Sequence, residues 1–376
     1  MKLDLPSASG LVPFTLGEPR AYPRPSGPAR SRVAYAAAHV VPDPFRDGEL
    51  DWDTTLAFRH HLWSYGLGVA EAMDTAQRGM GLDWKTTQEL ILRSGAAARA
   101  SGGMLACGAG TDQLPPGPSS LERIVAAYEE QLAVVAEAGA VPILMASRQL
   151  AATAKGPDDY AEVYGRLLGQ PERPAILHWL GPMFDPALEG YWGSSDLDAA
   201  TGTVLSIIDS HASQVDGIKV SLLDADREIA LRRRLPASVR LYTGDDFNYP
   251  DLIRGDEQGH SDALLGIFDP IAPAAATALH ALDANDLSAY EQAFTPTLAL
   301  ARHIFEAPTY YYKTGVVFLA WLSGHQNHFR MVGGLESARS VPHLVRLFQL
   351  ADGLYPDPEL AASRMRAWLT VQGVPQ

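Results

Sequence analysis

Eight short apolar runs, recurring along the chain with helix-like segments between them, constrain its fold more than any other feature. They fall at 33–41, 68–73, 103–108, 140–146, 175–180, 216–220, 239–243 and 263–268, rich in Val, Ile, Leu or Ala and bounded by Gly, Pro, Asp or Asn. A strand with one wet face would alternate apolar and polar residues, so continuous runs of this length suit parallel strands buried on both faces. The segments 53–65, 83–100, 119–138, 158–168 and 199–212 place apolar residues three and four apart, with Asp53, Asp83 and Ser120 as candidate N-caps. Eight strand–helix units over about 235 residues predict an α/β fold of the (β/α)8 barrel kind, whose usual size is about 250 residues. A doubly wound sheet would share the alternation, but no G-x-G-x-x-G follows the first run.

Two segments flank this rhythm. Residues 1–31 carry six prolines, from Pro6 to Pro28, and read as a Pro-rich extended arm ahead of a barrel over 32–270. After Pro270 the strand signal stops. Segments 274–282, 287–306, 314–322, 341–350 and 357–371 read as helices, so 271–376 is expected to form a helical appendix packed on the barrel.

The net charge of -14, with no basic cluster interleaved with aromatics, argues against nucleic acid or an anionic membrane as a partner. Arg232, Arg233 and Arg234 read as a solvated helix end. The single cysteine, Cys107, excludes an internal disulfide and suits a reducing compartment; in its apolar run it reads as a small core residue. The N-terminus lacks the apolar core of a signal peptide, and no stretch nears 18 consecutive apolar residues. A cytoplasmic protein is expected.

In such a barrel the active site sits at the C-terminal ends of the strands. The polar residues there are His39; Glu71, Asp74 and Thr75; Thr111 and Asp112; Ser147 and Arg148; His178; Lys219 and Ser221; Asp245, Asp246 and Asn248; and Asp269. Lys219, one of only five lysines, ends an apolar strand in V-D-G-I-K-V-S. Burial disfavours an ammonium, and a neutral amine is a nucleophile that forms Schiff bases with carbonyls. The other reading of Lys219 is a salt bridge to Asp245 or Asp246 that holds loops together. Position alone leaves both open.

The order of motifs resembles the dihydrodipicolinate synthase / N-acetylneuraminate lyase superfamily. V-A-Y-A-A-A-H-V-V-P-D-P-F-R-D-G-E-L-D-W is similar to its first strand and T-P-F-x-D-G pattern, and G-G-M-L-A-C-G-A-G-T-D to its third strand. A-G-A-V-P-I-L-M resembles the fourth strand, V-D-G-I-K the Schiff-base strand, L-Y-T-G-D-D-F the seventh and D-A-L-L-G-I-F-D-P-I-A-P the eighth, as in a divergent, uncharacterised branch. The resemblance covers roughly 32–330. It implies a class I aldolase or lyase acting on a keto acid or keto sugar, with Lys219 as nucleophile, no cofactor, and a homodimer or homotetramer.

Departures from the family pattern matter as well. Where the family has G-T-T-G-E, this chain has D-T-A-Q-R-G, keeping Thr75 and bringing in Asp74. Where it has Y-N-x-P, I-L-H-W-L-G-P puts His178, which can shuttle protons in place of the tyrosine. The family's following arginine is replaced by Met183, Phe184 and Asp185, inside an aromatic and acidic insertion over 183–196 that could act as a lid. Asp74, Thr75, Arg148, Asp245 and Asp246 are the expected substrate-binding residues. With Glu71, the acids would form an acidic pocket suited to a neutral keto compound unless Arg78 or Arg148 compensates. The same groups support an alternative, a divalent-metal sugar isomerase or epimerase held by Glu71, Asp74, His178, Asp245 and Asp246. Lys313 in T-Y-Y-Y-K-T-G reads as packing the appendix on the barrel, and His325 and His328 as surface or interface residues.

Overall fold

The apolar runs form strands that close into one cylinder. The computed structural model describes residues 2–375. After an N-terminal hairpin of β1 (Lys2–Ser7) and β2 (Gly10–Thr15), the barrel strands are β3 (Ala34–Ala37), β4 (Gly68–Glu71), β5 (Leu105–Ala109), β6 (Val141–Leu144), β7 (Ala175–Leu180), β8 (Val215–Ser221), β9 (Arg240–Thr243) and β10 (Asp262–Leu265). All eight run parallel, and β10 pairs with both β9 and β3 to close the barrel. Every residue of β3, β4, β5 and β7 is buried, as two covered faces require.

Alternation then sorts the side chains. Tyr35, Ala37, Ala70, Ala106, Ile143, Ile176, Tyr242 and Leu264 fill the cylinder. Val69, Cys107, Leu144, Leu177, Ile218, Leu241 and Leu265 belong to the outer core under the helices. The outer layer comprises α1 (Trp52–Ser64), α2 (Trp84–Ser101), α3 (Leu121–Glu137), α4 (Arg148–Thr153), α5 (Pro157–Leu168), α6 (Leu197–Ser210), α7 (Ala225–Arg232), α8 (Tyr249–Arg254) and α9 (Ala272–Asp283). Asp83 and Ser120 cap α2 and α3 as expected. For α1 the cap is Asp51, whose carboxylate accepts from the Thr54 amide and hydroxyl at 3.0 and 2.6 Å; Asp53 lies inside the first turn.

Beyond α9 come α10 (Leu287–Ile304), α11 (Tyr312–Leu322), α12 (Val341–Leu350) and α13 (Pro358–Val371). Residues 2–15 of the proline-rich arm are not extended alone but pair as a hairpin. Leu3 and Leu5 alternate inward onto α12 and α13, and Phe14 packs edge-on to Phe348, with centroids 6.0 Å apart. Prolines survive here because Pro6 and Pro13 sit in a two-stranded sheet with free edges. The arm beyond is gripped by carboxylates: Asp352 accepts from the Gly17 amide, and Asp283 from the amides of Arg30 and Ser31. Among the described residues no helix is long and apolar enough to cross a membrane.

The arginine run ends α7 but is not merely solvated. Arg232 and Arg233 both reach Asp256, at 2.9 and 3.0 Å.

Candidate active site

β7 and β8 pair in register over most of their length, setting His178 beside Lys219 on the face lining the cylinder. Tyr242 of β9 flanks Lys219 on the other side. Two glycines make room. A Cβ at Gly217 would meet the Tyr242 ring at 2.7 Å. At Gly244, in T-G-D-D, it would lie 2.9 Å from Lys219 Cε and 2.8 Å from the Val220 carbonyl. Lys219 is 7% exposed, and among the described residues no carboxylate oxygen lies within 4 Å of its nitrogen. Burial lowers its pKa, while Asp74 and Asp246 pull it back. The salt-bridge reading of Lys219 is therefore not the arrangement found.

His178 is fully buried and neither ring nitrogen has a partner. Burial and then Lys219 hold its pKa well below the usual histidine range, so the ring is neutral. A neutral imidazole beside a lysine whose pKa is lowered by burial can accept or return a proton without first breaking a hydrogen bond.

Asp74 and Thr75 lie in a 3₁₀ turn, Asp74–Ala76, directly after β4. Asp74 is half-buried, and its charge acts on three cations: Lys219, Lys313 and Arg148. The Thr75 hydroxyl lies 2.8 Å from that of Tyr312, whose ring stacks on Phe305 at 4.5 Å. Lys313 is buried, bonds only the Tyr310 carbonyl at 3.2 Å, and lies over the Tyr310 and Tyr312 rings. Burial lowers its pKa to about 8, against the pull of Asp74 and Asp185. Arg148 donates to Asp185 at 2.5 Å, which raises its pKa despite burial.

Asp74, Arg148, Asp185 and His178 border a cavity of about 290 Å³ at the C-terminal ends of the strands, with Thr111 and Gln149 on its wall. Asp246 lies deeper. It accepts from the Ile267 amide at 2.8 Å, and burial raises its pKa to about 7, with backbone donors and Lys219 opposing.

Other expected residues lie elsewhere. Glu71 points outward: its carboxylate takes two 2.8 Å bonds from Arg59 of α1 and one of 2.6 Å from Ser94 of α2. Asp245 spends both oxygens on its own loop, accepting from the Phe247 and Asn248 amides and the Asn248 side chain. Arg78, by contrast, does line the cavity, but its guanidinium is held by Asp112, Gln131 and the carbonyls of Ala72 and Gly108. His39 bonds Asp269 at 2.8 Å. His325 packs against Phe58 and His61, whose ring is 4.4 Å away, and burial lowers its pKa to about 4. Hence the proposed ligands Glu71, Asp74, His178, Asp245 and Asp246 do not converge, and among the described residues no metal-type cluster forms at the barrel mouth. The pocket is not acidic either. Arg78 and Arg148 line it together with Asp74, Asp112 and Asp185, and the charges of Asp74 and Asp246 act on Lys219 and those of Asp74 and Asp185 on Lys313.

The 183–196 insertion is a wall. Trp192 is fully buried among Tyr160, Tyr164, Trp179 and Tyr191, and the Tyr191 hydroxyl accepts from the Ser147 amide at 3.0 Å. Sequence reasoning missed Tyr312 and undervalued Lys313. The clustered tyrosines of T-Y-Y-Y-K-T-G were the available signal, but only the docking of the appendix brings them to Asp74 and Thr75.

The closed eight-stranded parallel barrel with a helical C-terminal segment is a fold that this chain shares with solved proteins of the dihydrodipicolinate synthase family. The chain superposes on dihydrodipicolinate synthase of Aquifex aeolicus with a TM-score of 0.61 at 15% identity, covering 92% of this chain and 99% of that one. On YagE, a prophage protein of the dihydrodipicolinic acid synthase family from Escherichia coli solved with pyruvate, the TM-score is 0.67 at 13% identity, covering 86% and 98%. A putative dihydrodipicolinate synthetase from Pseudomonas aeruginosa gives 0.64 at 15%, covering 86% and 99%. No curated protein matches the sequence. The chain belongs to the DUF993 family, described as proteins of unknown function, whose profile spans residues 3–374.

Proposed function

We propose that this protein is a Schiff-base lyase or aldolase acting on a keto acid or keto sugar. One observation carries the reading: Lys219 stands inside the barrel mouth without a carboxylate within 4 Å, beside a neutral His178 with both ring nitrogens free. The fold shared with a pyruvate-bound relative supports it.

In this reading the Lys219 amine adds to the substrate carbonyl carbon and the carbonyl oxygen takes up a proton. Loss of that oxygen as water leaves a protonated imine. As the hydroxyl on the carbon to be released gives up its proton, the carbon–carbon bond breaks: that carbon leaves as an aldehyde, and the bonding pair passes into the imine to give an enamine, which is protonated at carbon and hydrolysed by water to free the keto product and the amine. Condensation follows the same steps in reverse. His178 moves the proton at nitrogen and oxygen, and Asp246, with its pKa near 7, can share that work. The Thr75–Tyr312 hydroxyl pair orients the substrate carbonyl or carboxylate. Lys313 and Arg148 suit an acid group on the substrate, which shifts the balance toward a keto acid.

Borohydride trapping tests the reading. With pyruvate or a related 2-keto acid, reduction should leave a stable adduct on the peptide containing Lys219, absent in Lys219→Arg. Failure of every keto compound to form an adduct, or an unchanged adduct in Lys219→Arg, would overturn it.

A further inference from the structure

Far from the barrel mouth, where α10 meets α12, two histidines and a glutamate converge. His303 lies in the last turn of α10, Glu306 just beyond it, and His343 in the first turn of α12. Glu306 reaches His303 Nδ1 at 3.2 Å with one carboxylate oxygen and His343 Nδ1 at 2.9 Å with the other. The two imidazoles stack with centroids 4.0 Å apart and planes 21° from parallel. One ligand atom from each of the three residues lies within 4.8 Å of the other two.

The hydrogen bonds leave a deficit. His303 Nε2 lies 2.9 Å from the His343 carbonyl, which can only accept, so this nitrogen carries the proton. His303 Nδ1 then presents a lone pair to a carboxylate oxygen, acceptor facing acceptor. His343 is 8% exposed; its Nδ1–H donates to the Glu306 carboxylate at 2.9 Å while its Nε2 is buried with no partner among the described residues, so a metal would take the place of the Nδ1 proton. Arg339 acts on Glu306 through its charge but does not touch the carboxylate. Its guanidinium bonds the carbonyls of Ile304, Glu306 and Pro308, and among the described residues it makes no ion pair with the carboxylate.

We propose that His303, Glu306 and His343 bind a divalent transition metal of the zinc type, clamping α10 to α12. Metal–ligand bonds of about 2.0–2.1 Å imply tetrahedral edges of roughly 3.3 Å, close to the two N–O separations found. Two imidazoles with one carboxylate suit zinc, nickel or cobalt rather than calcium or magnesium. The His303 N–H held by a backbone carbonyl is the arrangement that orients metal-binding histidines. The half-exposed Glu306 side chain leaves an entry path and room for water as a fourth ligand. The clamp would fix residues 305–311, the segment that carries Tyr312 and Lys313 to the pocket.

The test uses the full-length chain, stripped with a chelator, dialysed, and titrated with Zn²⁺ against a chromophoric competitor. A saturable site is expected in wild type, with binding at least about tenfold weaker in Glu306→Gln and in His303→Gln. Zinc should also raise the thermal midpoint of wild type and not of the variants. Borohydride trapping at Lys219 should be unaffected in Glu306→Gln, which separates this site from the catalytic reading. No saturable binding in wild type, or equal affinity in the His303→Gln/Glu306→Gln double variant, overturns the proposal. If the double variant is unstable, the single Glu306→Gln titration decides.

Discussion

Replacing Glu71 by glutamine should damage the fold while sparing the chemistry. The carboxylate is fully buried and receives four donors: Arg59 Nε and Nη2, the Ser94 hydroxyl and the Ala72 amide, at 2.6–3.0 Å. Arg59 is equally buried, and its remaining donor bonds the His39 and Thr55 carbonyls. Glutamine keeps the shape but removes the countercharge and turns one acceptor into an NH₂ that faces guanidinium donors. An unpaired buried charge of this kind costs about 3–5 kcal/mol, a large share of a typical stability of about 5–15 kcal/mol. Exchanging both partners, Arg59→Met with Glu71→Met, should recover much of the loss, since no charge is then stranded. Urea denaturation of wild type, the two single variants and the double variant gives the coupling directly. Borohydride trapping at low temperature, where Glu71→Gln is still folded, should label Lys219 normally. A stability change under about 0.5 kcal/mol, which is the range of ordinary surface substitutions, would refute the argument. So would a folded Glu71→Gln protein that fails to label, because that outcome would place Glu71 in the site.

Other consequences follow from the same packing. Gly244→Ala places a methyl 2.9 Å from Lys219 Cε and 2.8 Å from a backbone oxygen; it should cost about 1–3 kcal/mol in denaturation and reduce the trapped adduct. Tyr312→Phe removes the partner of Thr75 and should slow adduct formation with a stability loss of about 1 kcal/mol; an unchanged rate would remove Tyr312 from the mechanism. Glu228, bonded to Thr243 and Ser261, has its pKa raised by burial to about 8. The raised value means that wild-type stability is full below the ordinary carboxylate pKa of 4.5 and declines as pH rises through about 8. Glu228→Gln does not titrate, so its stability relative to wild type should improve over that window in urea melts at several pH values; a flat difference would refute the assignment.

The barrel was legible because both faces of its strands are buried, which writes each strand as an unbroken apolar run. The same property hides which way a side chain points. Glu71 and Asp74 looked equivalent as strand-end acids, yet β4 turns Glu71 outward onto Arg59 and leaves Asp74 at the mouth. Asp245 and Asp246 differ by one position; one holds a loop and the other faces the lysine. Lys219 and His178 were legible as candidates because each is flanked by apolar residues inside a buried strand. Tyr312 and Lys313 come from a helix packed across more than 200 residues of chain, and no local pattern reports such docking. The hairpin was hidden by its prolines, which argue against central strands but are tolerated at edges.

The hairpin also bears on the order of assembly. Its inward leucines rest on α12 and α13, and Arg366 bonds the Lys2 carbonyl. Residues 2–7 therefore dock on helices made more than 300 residues later, a pairing of very high sequence separation that slows folding. Until 341–371 have emerged, Leu3 and Leu5 have no partner surface, and Asp352 is not there to hold the arm at Gly17. Closing the N-terminal strap is thus a step that vectorial synthesis defers until α12 and α13 are made, and a chain cut short before α12 would carry its hairpin undocked.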